Sequence, residues 1–137
     1  MNPSGPVSTQ PAPPLETDED FAKRSIQEVL KAYCNALEAL DPDAVKRVQP
    51  KVDIESVRKQ LNSSRYKSVQ CKFGDPKFGA LDASAGTAKV QAELKRVYDY
   101  TILKPETLEH IVEMALSRPG PRGSWQIDKM DFKPKPK

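Results

Sequence analysis

A chain of 137 residues fits one domain with one buried core, and its 7% aromatic and 30% charged residues are ordinary for a soluble protein. A net charge of +3 is too small to imply a polyanionic partner, so no nucleic acid is expected. No apolar run approaches the roughly 20 residues that span a bilayer, and no basic-then-apolar leader opens the chain, so neither membrane insertion nor export is expected.

Residues 1–16 hold five of the 13 prolines and almost no apolar mass. Lacking donors at those positions, the stretch reads as a disordered linker leaning to polyproline II. A linker implies a further domain on its N-terminal side. A single domain is expected over 17–132 and a disordered basic tail over 133–137.

Thr17 is a helix cap, and Asp18, Glu19 and Asp20 put negative charge at the positive end of the helix dipole. Phe21, Ile26, Val29, Leu30, Tyr33, Leu37 and Leu40 then follow a helical stripe. A rod of about 23 residues would be ~35 Å long. Asp41 caps a short helix with Pro42 at its first position, and Pro50 stops it. Asp53 caps a third, with Ile54, Val57 and Leu61 on one side. Residues 44–72 carry eight basic side chains against Asp53 and Glu55. With no aromatic ladder between them, they read as a solvated face.

From Arg65 the period changes to two. Val69, Cys71 and Phe73 mark a first strand, and 77–81 a short edge strand. The longest strand spans 86–101. Ala88, Val90, Ala92, Leu94, Arg96, Tyr98 and Tyr100 share one face, and Lys89, Gln91, Glu93, Lys95 and Asp99 the other. A strand that long must twist and bend, and the first helix is the object to bend around. In 106–117, Leu108, His110, Val112, Met114 and Leu116 form an inner face. A helix also fits that segment, but the last strand, Ser124–Met130, needs a partner. Cys34 and Cys71 fall in separate elements and in no metal-spaced cluster. Free buried thiols are the first expectation and a disulfide the second, since free cysteine behaves as a small apolar residue.

The order of elements, the ending Gly123-Ser124-Trp125-Gln126-Ile127 and the stretch from Ala32-Tyr33 to Asp41-Pro42-Asp43-Ala44-Val45 resemble the nuclear transport factor two-like, or SnoaL-like, superfamily. The resemblance covers about 18–132. It implies an α+β fold, with N-terminal helices packed on a curved antiparallel sheet in a cystatin-like cone. Gln49–Val52 leaves no room for the small hairpin that many members place there. The resemblance also implies a cavity between helix and sheet, and pairing of two copies through the outer sheet face. Compact bacterial members are often joined through proline-rich linkers to serine/threonine protein kinases.

The inward polar and aromatic residues, Tyr33, Arg96, Tyr98, His110 and Trp125, are the pocket candidates. Arg96 needs a partner or an opening to water on that face; a β-bulge or a snorkelling side chain would instead carry it outward. His110 is the only histidine. Enzymes of the superfamily use an Asp/His or Tyr/Asp arrangement in the cavity. Here Glu93, Asp99, Glu109 and Glu113 all fall on the outer face. Zinc, phosphate-loop and nucleophile-elbow patterns are absent, so no catalytic residue, metal or cofactor is expected. The expected function is a non-catalytic module of a bacterial regulatory protein, either binding a small hydrophobic or anionic ligand or forming a homodimer. The alternative is an isomerase, cyclase or hydrolase of a small hydrophobic substrate. The expected location is cytoplasmic, or extracytoplasmic if the domain is tethered to a membrane protein.

Overall fold

The computed structural model describes residues 17–62, 64–119 and 124–135. The linker expected over 1–16 and the end of the expected tail, 136–137, lie outside them. Three helices precede five strands: α1 (Asp18–Glu38), α2 (Pro42–Val48), α3 (Ile54–Gln60), β1 (Tyr66–Phe73), β2 (Lys77–Asp82), β3 (Thr87–Tyr100), β4 (Glu106–Ser117) and β5 (Gln126–Pro134).

The helices start where their caps predict. Thr17 accepts the amide of Asp20, Asp41 that of Ala44 and Asp53 that of Glu55. α1 ends where Leu40 enters the left-handed region at φ 53° and the amide of Asp41 reaches back to Ala36. α1 then buries Ala22, Ile26, Leu30, Tyr33, Cys34, Ala36 and Leu37.

All strand pairs are antiparallel. β4 runs along one edge of β3, and β5 follows β4. β1 and β2 share the other edge of β3: β1 pairs from Phe73–Leu94 to Tyr66–Tyr100, and β2 from Lys77–Gln91 to Asp82–Thr87. The resulting α+β cone is the expected fold. Residues 106–117 are strand, so the helical reading of that segment fails. Pairing on both edges of β4 decides it, because backbone donors that bond two neighbouring strands are not free for a helix.

The core lies between α1 and the concave face. Val90, Leu94, Val112, Leu116 and Ile127 meet Ile26, Leu30 and Leu37 there. Two sequence expectations change. Cys34 and Cys71 form a disulfide, so they are not free thiols. α1 packs on β1 with their Cα atoms 5.0 Å apart, within bridging range. Lys133 and Pro134, expected in the tail, are strand instead. They pair with Ile111 and His110 as the end of β5. This edge strand tolerates a proline, and the Lys133 ammonium reaches the Glu113 carboxylate at 3.0 Å.

Candidate functional site

The alternation of β3 continues without a register break past Arg96 in its pairing with β4. Arg96 therefore points inward and is only 7% exposed, so the β-bulge that would turn it outward is not present. Its neighbours are aromatic rather than acidic. Nη1 donates to the Tyr98 hydroxyl at 3.3 Å, and Nη2 lies 3.4 Å from Nδ1 of His110. The guanidinium carbon sits 5.0 Å from the Phe132 ring centroid and 5.8 Å from that of Tyr98. The Nε–H is buried with no acceptor among the described residues. His110 packs edge-on against Phe132, with ring centroids 5.7 Å apart.

Arg96 forms one wall of a cavity of about 350 Å³ between α1, the two short helices and β5. Leu37, Val45, Val52, Val57 and Met130 supply its apolar surface, and Tyr33, Gln49 and Gln60 its other polar groups. Tyr33 is buried beside Arg96. Burial pushes its phenol up to about 12; the Arg96 charge opposes this, and Tyr98 adds to it. A phenol whose ionisation is raised from 10 to about 12 on folding stabilises the fold below pH 10, and that stability is lost as pH rises from 10 through 12. Across that window the wild type should lose about 2–3 kcal/mol more than Tyr33→Phe. Urea unfolding at intervals from pH 9 to 12 checks this, and parallel curves would contradict it.

Of the five pocket candidates, the fold brings four together. Tyr33 and Arg96 line the cavity, while Tyr98 and His110 hold the guanidinium from behind. Trp125 is elsewhere: it is 3% exposed, under the Arg118 guanidinium, and lines a different groove. That burial makes it part of the hydrophobic core. Sequence reasoning missed Phe132, Met130, Gln49 and Gln60. The alternation from Trp125 and Ile127 predicts Lys129 and Asp131 as the next inward residues. A bulge opposite Ala115 and Leu116 shifts the register, so Met130 and Phe132 line the cavity instead.

No protein-family model and no curated protein sequence matches the chain. Solved structures do. A candidate scytalone dehydratase of Novosphingobium aromaticivorans superposes with a TM-score of 0.74 at 11% identity, over 87% of each chain. A nuclear transport factor 2-like superfamily protein of Salmonella enterica serovar Typhimurium gives 0.69 at 12% identity, over 85% of this chain and 93% of that one. The hexachlorocyclohexane dehydrochlorinase LinA-type3 of Novosphingobium barchaimii gives 0.64 at 9% identity, over 86% and 92%. Identities this low speak to architecture and not to chemistry. The chain has the nuclear transport factor 2-like fold.

Proposed function

We propose that the domain is a non-catalytic receptor for a small amphipathic molecule with an anionic group, seated in the cavity under α1. Arg96 carries this reading. It is a buried cation with an orphan Nε–H and no carboxylate against it among the described residues. An uncompensated charge in that position costs several kcal/mol. A ligand carboxylate or phosphate would supply both the counter-charge and the missing acceptor. The apolar walls accept the rest of the molecule, and the cavity volume is at the small end of ligand sites.

None of the ten cavity-lining residues is Asp, Glu, His or Cys, which supports binding over acid–base turnover. The rival reading is an enzyme of a small hydrophobic substrate, and the contact of His110 with Arg96 favours it. In that case His110→Ala would abolish turnover while leaving affinity intact. Self-association through the outer sheet face has less support. The modest apolar patch of Val97, Ile111 and Ala115 shares that face with the ion pairs Lys133–Glu113, Lys135–Glu93 and Lys135–Glu109.

Of the two expected locations, the Cys34–Cys71 disulfide favours the extracytoplasmic one, because such bridges persist in oxidising compartments. A receptor there, joined through its proline-rich stretch to a signalling domain, would report on a small molecule outside the cytoplasm. Calorimetric titration with hexanoate, octanoate and decanoate, against the matching amides, tests the receptor reading. A carboxylate should bind, its amide should not, and Arg96→Met should abolish binding. Failure of every carboxylate, or equal binding by Arg96→Met, would overturn it.

A further inference from the structure

A second groove, of about 630 Å³, lies between α1 from Phe21 to Ala32, the end of α2, Arg118 just after β4 and the two residues that precede β5. No residue lines both it and the Arg96 cavity. Two of its lining side chains carry buried N–H donors with no acceptor among the described residues, Nε1 of Trp125 and Nε of Arg118. Buried donors in a folded protein are nearly always satisfied, so two orphans in one groove point to an acceptor that arrives from outside.

The fold holds these donors in place. Arg118 donates from Nη2 to the carbonyl of Ala83, and its guanidinium carbon lies 5.2 Å from the Trp125 ring centroid. Its backbone amide donates to the carbonyl of Gly86 at 2.8 Å. Gly86 has φ +72°, and a Cβ there would come within 2.9 Å of the Arg118 carbonyl oxygen. Only glycine allows that approach, so the β2–β3 turn fixes the segment that carries Arg118.

The rest of the groove describes the ligand. Phe21, half-exposed, and Val29, Ala32 and Val48 offer apolar surface for a flat body. Arg47 and Glu28 also line it, so with Arg118 the groove carries one net positive charge. That balance suits a single negative charge and disfavours a second. We propose that this groove is a second binding site, independent of the Arg96 cavity, for a monoanionic carboxylate with a flat apolar body. The carboxylate accepts from Arg118 Nε and Trp125 Nε1, and the body lies against Phe21.

Trp125 is the only tryptophan, so its indole N–H gives one resonance in a ¹H–¹⁵N correlation spectrum of the full chain. Phenylacetate is the probe and phenylacetamide its neutral control. The expected result is a saturable downfield shift of the indole N–H with phenylacetate, none with phenylacetamide, and an unchanged titration in Arg96→Met. Arg118→Met should weaken binding roughly tenfold or more, the loss of a charge-assisted hydrogen bond, and Phe21→Ala should weaken it less. Dispersed backbone resonances certify that each variant is folded, and Arg118→Lys serves if Arg118→Met is not. No indole shift up to the solubility limit would overturn the site. So would a shift that survives loss of the Arg118 guanidinium. An indole N–H showing magnetisation transfer to a bound water, without response to phenylacetate, would assign the orphan donors to that water and also overturn it. Loss of carboxylate binding in Arg96→Met with the indole shift retained would separate the two sites.

Discussion

Replacing Cys34 and Cys71 together by alanine will lower the stability of the domain by about 4 kcal/mol and its melting temperature by roughly 15 °C. The bridge closes a loop across 37 positions, and constraining a loop of that length in the unfolded chain is worth about that much. The enclosed segment depends on this constraint. α2 and α3 have seven residues each, too short to persist as isolated helices, and within their spans they bury only Val45 and Val57. Alanine leaves no buried hydroxyl at the Cys34 position, so the loss reads the cross-link and not a new unsatisfied group. Wild-type protein melted in dithiothreitol should coincide with the double variant. A difference of under about 3 °C between oxidised and reduced wild type would mean that helix–strand packing already holds the loop. The bridge also reaches the cavity: Cys34 follows Tyr33, and Cys71 stands opposite Arg96 in the β1–β3 ladder. Carboxylate affinity should therefore fall with stability.

The parts of the molecule that were legible in the chain are those where local chemistry and tertiary role agree. Thr17 and its acidic first turn mark the start of α1, and the stripe from Phe21 to Leu37 marks its buried side, although Phe21 itself stays half-exposed. In β3 the alternation holds through Arg96 and Tyr98, so a charged residue at an inward position stood out from sequence alone. What stayed hidden depends on register and distance. Nothing in the spacing of Cys34 and Cys71 says that one helical turn of α1 meets the third-last residue of β1. A single bulge in β5 inverts the parity of everything after it, so alternation puts Lys129 and Asp131 inward and Phe132 outward, when Phe132 is a face of the Arg96 site. Trp125 and Arg96 both fall on inward positions, and period-two reasoning has no means of telling opposite ends of a sheet apart. The groove at Trp125 was unreadable for the same reason, since Phe21 comes from α1, Arg47 from α2 and Arg118 from the residue after β4.

Arg96→Met will make the domain more stable by about 1–3 kcal/mol while removing carboxylate binding. The guanidinium is desolvated at 7% exposure. In return it has one hydrogen bond at 3.3 Å, one contact to His110 at 3.4 Å and the faces of Phe132 and Tyr98 at 5.0 and 5.8 Å. Both polar contacts are long for hydrogen bonds, and each aromatic face returns about 0.5–2 kcal/mol. Against these stand the effective penalty of several kcal/mol for a buried cation and the cost of the orphan Nε–H. Methionine has a comparable reach and no charge, and its sulfur packs well against aromatic edges such as Phe132. Opposite signs in stability and binding are the mark of a residue retained for what it binds. Arg96→Lys keeps the charge without the forked donors, so it should gain no stability and hold the ligand only weakly. Denaturant unfolding of the three proteins without ligand, paired with calorimetry on each, measures both effects. If Arg96→Met loses 1 kcal/mol or more, the aromatic cage already satisfies the cation as a structural element, and the case for an anionic ligand at this wall fails with it.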